Sequence, residues 1–407
     1  MTRTLFAGGG VFDTRTATAS EADVVVEDGR IVDVGPDLDG DESVDVSGRT
    51  ILPGLFDCHT HVVLSHIDMW KLIQQPFSYR FYVAQQNLRA TLETGITTVR
   101  DAGGADLGIR EALEDELISG PRLQISIRML SQTGGHGDEW LPSGSLAAMF
   151  PDYPGSPSAL VDGADEMRRK VRELIRSGAD VIKVATSGGV LSPRDKPTHA
   201  HFRMDELEAL VSEAAAAGIW VMAHAQATDG IKNAIKAGIR SIEHGVYLDD
   251  EAISMMVEKG TYLVPTLVAP QGVISAAEAG AQIPEDSLAK AREVVDIHRE
   301  SFRKAVEAGV KVAMGTDSGV TPHGENLREL TLMAEGGMSP GQAIAATSAT
   351  AAELMGLQDE LGSLEPGKRA DLVVVEGDPF DLKTLPERIE AVYKDGTRVV
   401  DRSDRTA

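Results

Sequence analysis

Four histidines, one aspartate and one lysine fall at the ends or centres of short apolar runs, where isolated polar side chains call for a reason. His59 and His61 stand two apart in Pro53-Gly54-Leu55-Phe56-Asp57-Cys58-His59-Thr60-His61. Residues two apart on an extended strand project to one face, so both imidazoles can converge on one cation. Such a pair alone carries little, since two hydrogen-bonded histidines are a common outcome. Its company carries more. His224 closes the run Trp220 to His224, His244 closes Ser241 to His244, and Asp317 closes Val312 to Asp317. Lys183 lies inside Asp180-Val181-Ile182-Lys183-Val184-Ala185, where burial of a charged amine is costly unless it is paired or neutralised. It either meets a carboxylate or, as the neutral amine, adds carbon dioxide to become an anionic carbamate. Two dications among neutral imidazoles need anionic oxygen between them, which favours the carbamate.

The expectation is therefore a site for two divalent cations held by His59, His61, Lys183, His224, His244 and Asp317. Zinc suits these nitrogen and carboxylate donors, and manganese, cobalt or iron can take the same positions. Cations roughly 3.5 to 4 Å apart lower the pKa of a shared water, so a metal-bridging hydroxide would attack a carbonyl. Asp317 is the expected catalytic residue, accepting the proton and passing it to the departing amine. The expected reaction class is hydrolysis of an amide or similar C–N bond.

Such residues need a frame that brings strand ends together. Eight apolar runs alternate with helical patterns: Leu55 to His61, Thr97 to Asp101, Leu123 to Leu130, Val181 to Thr186, Trp220 to His224, Ser241 to His244, Tyr262 to Pro265 and Val312 to Asp317. That alternation predicts an α/β fold, a (β/α)8 TIM barrel over residues 54–360 with its chemistry at the C-terminal strand ends. Ala164 to Ser177 and Met204 to Ala217 read as helices stopped by Gly178 and Gly218. At the N-terminus, Ala22 to Gly35 reads as two strands about Asp28-Gly29; Ala370 to Val375 and a hairpin about Asp395-Gly396 follow at the other end. Short strands need a shared apolar face, so residues 1–53 and 361–407 are expected to form one composite β-sandwich domain.

The chain resembles the amidohydrolase superfamily, of the binuclear type, over nearly its whole length. The resemblance rests on the His59/His61 segment, the strand-four lysine, Ala223-His224-Ala225, Ile242-Glu243-His244-Gly245, Gly315-Thr316-Asp317, and the tail from Gly362 to Val373. It implies that His59, His61 and Asp317 hold the more buried metal, His224 and His244 the other, with carboxylated Lys183 as bridging ligand. Within the superfamily the chain is similar to the Xaa-Pro dipeptidase, prolidase-like group, and shares terminal patterns with imidazolonepropionase-like enzymes. Two segments carry that likeness: Ser131-Gln132-Thr133-Gly134-Gly135-His136-Gly137-Asp138 and Thr186-Ser187-Gly188-Gly189-Val190-Leu191-Ser192-Pro193. The implied substrate is a small amide, a dipeptide (Xaa-Pro or similar) or an N-acyl amino acid. Cyclic-amide hydrolysis, heterocycle deamination and a non-catalytic scaffold are the alternatives, because fold does not choose substrate.

His136 is a candidate donor to a substrate carboxylate, against the plainer reading of a loop histidine bonded to backbone. Gly188 and Gly189 either satisfy a turn or present amide N–H groups to substrate. Gln226 departs from the tyrosine that several prolidase-like members carry two positions after the fifth-strand histidine. Arg194, His199 and His201 read as a solvated loop cluster, His298 as an exposed helical residue, and Cys58 as a small buried residue. His66 and His323 have no assigned role.

A formal net charge of −24 on 407 residues argues against nucleic-acid and anionic-membrane partners. The acid excess serves either solubility or life at high salt, and 26 Arg against 13 Lys with scattered Asp and Glu favours the second. No run approaches the roughly 18 apolar residues of a membrane helix and the N-terminus lacks a secretory h-region, so the expected location is cytoplasmic. Cys58 is the single cysteine, which rules out an intramolecular disulfide. The expected partner is a small-molecule substrate, with association into a homo-oligomer left open.

Overall fold

The computed structural model describes residues 2–146, 149–192 and 195–402. Its middle is a set of parallel strands alternating with helices, and its two ends carry mostly antiparallel strands, which makes an α/β fold. Arg122–Ile125, Ile96–Asp101 and Leu55–Thr60 form one parallel sheet. Met129–Leu130, Val181–Ala185, Trp220–Ala225, Ser241–His244 and Tyr262–Val264 form a second, in that order. Leu55–Thr60, Ile96–Asp101 and Val181–Ala185 are buried along their whole length, as parallel strands covered on both faces must be. The helices Ala164–Arg176 and Met204–Ala216 add Met167, Val171, Leu174, Leu207 and Leu210 to the main apolar core. Gly178 and Gly218 follow them with φ of +94° and +73°, the left-handed geometry that ends a helix.

Two expected strands differ. Leu123 to Leu130 divides into Arg122–Ile125 and Met129–Leu130, which join different sheets, with Ile127 at φ +66° between them. Among the described residues Val312 to Asp317 makes one isolated bridge, Leu263↔Val312, with a second, Thr60↔Ser318, just beyond its end. The segment is nonetheless tied on both sides: Leu263 N donates to Lys311 O at 2.8 Å and Cys58 N to Met314 O at 2.9 Å. Asp317 N donates to His59 O at 2.8 Å. Gly315 explains the closeness, since a Cβ there would meet Val264 Cγ1 at 2.4 Å and His59 N at 3.1 Å.

Both predicted hairpins form. Asp23–Glu27 pairs with Arg30–Gly35 and Ile389–Lys394 with Thr397–Asp401, each about an Asp-Gly turn with positive φ at both residues. Leu372–Glu376 pairs antiparallel with Arg49–Pro53, so the two chain ends share one six-stranded sheet. That sheet and a four-stranded one share an apolar cluster that includes Phe6, Val24, Ile31, Ile51, Leu372 and Tyr393. Phe6 meets Tyr393 edge-on at 5.0 Å. Among the described residues no helix is long and apolar enough to cross a membrane.

Candidate metal centre

His59 ends the buried strand Leu55–Thr60 with its ring locked from behind. Its Nδ1 lies 2.8 Å from Glu243 Oε2, while Glu243 Oε1 accepts from Arg100 Nη2 at 3.0 Å and Ser241 Oγ at 2.5 Å. Arg100 Nε also donates to Cys58 O at 2.7 Å. A proton on Nδ1 leaves the Nε2 lone pair facing Asp317 Oδ1, 3.5 Å away, and Lys183 Nζ, 3.4 Å away. His61 behaves alike: Nδ1 donates to Gly103 O at 2.8 Å and Nε2 lies 3.1 Å from Asp317 Oδ1. His244 places Nδ1 2.7 Å from Thr266 Oγ1. Donor atoms of His59, His244 and Asp317 all lie within 4.8 Å of one another. Two buried imidazoles and a carboxylate are the nitrogen and oxygen donors that a divalent cation such as zinc takes, so the residues fit the ion.

The electrostatics agree with ligation. Burial, then the neighbouring Lys183, holds His59 well below its ordinary value, and burial pushes His244 down to about 3. Both rings are thus neutral lone-pair donors. Asp317 feels burial most, but the surrounding His59, His61 and His244 outweigh it and keep the carboxyl below its usual range. Burial lowers Lys183 to about 8, which enlarges the neutral amine fraction. The neighbouring carboxylates of Glu243, Asp317 and Asp101 oppose that shift, and the Arg100 guanidinium adds to it. Strain gathers here as well: His244, Thr266 and Asp317 have φ of +72°, +53° and +60°, left-handed values that non-glycine residues hold only when neighbours enforce them.

His224 sits differently. Its ring centre is 4.7 Å from that of His244, but Nε2 lies 3.1 Å from Gly188 O, leaving Nδ1 as the other donor atom. His136 stacks on it at 4.1 Å and 16°. His136 Nδ1 lies 2.8 Å from Ser192 Oγ and 3.7 Å from Asp195 Oδ2, and Ser192 Oγ bonds Asp195 Oδ1. A Cβ on Gly189 would enter the His136 ring at 2.2 Å, so glycine permits this approach. Gly188 gives its amide to His199 O at 2.9 Å, so that N–H shapes the loop and is not offered to a ligand.

A cavity of about 260 Å³ opens onto these residues. His59, His61, Lys183, His224, His244 and Asp317 line it beside His136, and its walls are mostly apolar, with Leu64, Ile67, Met129, Phe150, Val190 and Val273. Gln226 is buried against it with Oε1 unpartnered among the described residues. Of three Trp, six Tyr and nine Phe, eight fall in residues 69–82 and 140–153, two segments that also line the cavity through Met69, Leu141, Met149 and Phe150. Phe77 and Phe81 pack edge-on to Tyr153, tying the segments together.

The loop cluster beyond Lys183 is not uniformly solvated. His199 is exposed, but His201 is buried and pushed to about 4 by burial, and Arg194 lies outside the described residues. His298, expected on an exposed face, is 2% exposed and donates Nε2 to His244 O at 2.8 Å. Glu243 and Arg100 were not singled out in the sequence; a carboxylate within a wholly buried strand was the available signal. Cys58 is buried with its thiol pushed up by burial, and no nucleophile role follows.

The sequence matches the amidohydrolase family over residues 50–400. An ochratoxinase from Aspergillus niger is 38% identical over 364 residues, covering 85% of this chain and 75% of its own. A crystal structure of a Xaa-Pro dipeptidase with methionine bound in its active site is 35% identical and superposes with a TM-score of 0.88, covering 97% of this chain and 99% of that one. A prolidase complexed with N-methylphosphonate-L-proline is 37% identical with a TM-score of 0.89, covering 98% and 100%.

Proposed function

The chain belongs to the amidohydrolase family and is a hydrolase of amide C–N bonds, and from that premise we propose that its substrate is a dipeptide, Xaa-Pro or similar, or an N-acyl amino acid. The observation that carries this reading is one cavity of about 260 Å³ with apolar walls, the His59/His244/Asp317 group and His136 all lining it. An apolar wall suits an uncharged side chain or acyl group, and His136 suits the substrate carboxylate. Gln226 Oε1 adds an acceptor for a substrate N–H. The likeness to a Xaa-Pro dipeptidase and to a prolidase holding N-methylphosphonate-L-proline supports the same substrate class.

His59, His61 and Asp317 would hold one divalent cation and His224 and His244 the other, and this nitrogen and carboxylate donor set suits zinc. Lys183 would bridge them as its carbamate: the neutral Nζ forms a bond to carbon dioxide and releases a proton to water. When bound, the two ions supply an activated water and polarise the scissile carbonyl. The Asp317 carboxylate would accept a proton and pass it to the leaving amine. His136 holds the carboxylate end, and the apolar walls exclude bulk water from the reacting carbonyl. The parallel strands and their helices, residues 54–360, would form one (β/α)8 barrel, closed by the segment from Lys311 to Ser318. Residues 1–53 with 361–407 would form the β-sandwich beside it.

The test is a panel of Xaa-Pro, Xaa-Arg/Lys, N-acyl amino acid and cyclic-amide substrates with zinc-loaded protein, repeated with Lys183→Ala. Cleavage of dipeptides or N-acyl amino acids, lost in that variant, supports the reading. Turnover of cyclic amides alone would overturn the substrate assignment.

A further inference from the structure

The 23-residue helix Glu285–Glu307 buries an unusual stripe: Ser287, Lys290, His298 and Ser301 lie among Ala291, Val294, Phe302 and Ala305. Burying a lysine and a histidine on a helix face is costly unless their donors are used. Here they are used, on two separate segments beside the cavity, one a loop and one a strand end. Lys290 Nζ donates to Ser192 O at 2.7 Å, Asp195 O at 3.1 Å and Gly189 O at 3.5 Å, with Asp286 at 3.1 Å as its countercharge. That loop supplies Gly188 O to His224 Nε2 and Ser192 Oγ to His136 Nδ1. Two turns further along, His298 Nε2 donates to His244 O at 2.8 Å and Ser301 Oγ to Val246 O at 2.7 Å. The backbone so held is the left-handed one of His244, φ +72°.

The other ligand candidates have other supports. His59 rests on Glu243, His61 on Gly103 O, and Asp317 N on His59 O. One helix therefore stands behind His224 and His244, and among the described residues none of its polar bonds reaches His59, His61 or Asp317. We propose that Lys290 and His298 are positioning residues that preset the His224/His244 half of the metal centre. The proposal rests on the two-cation reading above. It touches no ligating atom: His298 acts through the carbonyl of His244, and Lys290 through the loop that orients His224.

The experiment measures zinc content and the two zinc affinities of the full chain by elemental analysis and competition with a chelator, alongside kcat, KM and Tm. Wild type is expected to hold two ions. His298→Leu is expected to keep one and weaken the other by about 10- to 100-fold, the usual effect of removing a support behind a metal ligand. His298→Gln, which retains an N–H donor, should recover most of that loss. Lys290→Gln gives the same comparison through the His224 side should His298→Leu fold poorly. Two ions bound with unchanged affinity in both His298→Leu and Lys290→Gln would overturn the proposal, as would equal loss of both ions. A wild-type chain that takes a single ion would overturn the two-cation reading itself, and the proposal with it, which separates that failure from the others.

Discussion

In the proposed mechanism one carboxylate, Asp317, serves both proton transfer and metal binding; it lies 3.1 Å from His61 Nε2 and 3.5 Å from His59 Nε2. Replacing Asp317 with Asn keeps size and removes the proton acceptor. Turnover should fall by about 10²- to 10⁴-fold while KM changes little, read from steady-state kinetics. Retained turnover would contradict the role. His136→Ala should instead raise KM for carboxylate-bearing substrates by about 10-fold or more, with kcat less affected. Behind the site, Glu243→Ala would leave the buried Arg100 guanidinium without its partner, a loss of about 3–5 kcal/mol that urea unfolding can measure. His59 and His61 were legible because strand alternation sends both to one face. Glu243 was not, because Arg100, the partner that explains a buried carboxylate, is 143 residues away.

At the level of elements, the helix Val268–Glu278 begins against the buried carboxylate of Glu329, which accepts from Leu267 N at 2.7 Å and Val268 N at 2.9 Å. Burial raises that carboxyl from 4.5 to about 8, outweighing both backbone bonds. The folded chain then holds the proton more tightly than the unfolded one. This contribution to stability is complete below about pH 4.5 and is lost as pH rises through about 8. Glu329→Gln should flatten the Tm profile across that window, where the group contributes up to about 1.4 kcal/mol per pH unit. An unchanged slope would place its source elsewhere. The alternating strands and helices were readable from apolar runs, yet Val312 to Asp317 keeps the contacts of a strand without its ladder, since Asp317 turns left-handed to meet the histidines. His298 reads as exposed because charges surround it in sequence, and only the strand end carrying His244 reveals which face is inside.

Across the whole molecule, the charge of −24 is the property that solvent conditions reach most directly. At molar salt the Debye length shrinks to about 3 Å, which relieves repulsion between surface carboxylates. Tm should therefore rise from low to molar salt, and a flat response would sink the high-salt reading. Both terminal hairpins were legible from their Asp-Gly turns. The pairing of Arg49–Pro53 with Leu372–Glu376 was expected only as a shared domain; its register depends on partners more than 300 residues apart.

The uneven spread of aromatic residues gives the protein an optical property. Trp70 and Trp140, 63% and 45% exposed, lie on the two aromatic-rich segments that line the cavity, while Trp220 lies under the Arg240 guanidinium at 3.8 Å. All three indoles are exposed, and two of them are sequence neighbours of the cavity-lining Met69, Glu139 and Leu141. If filling the cavity with an apolar ligand moves those segments, intrinsic fluorescence should follow occupancy without a label or turnover.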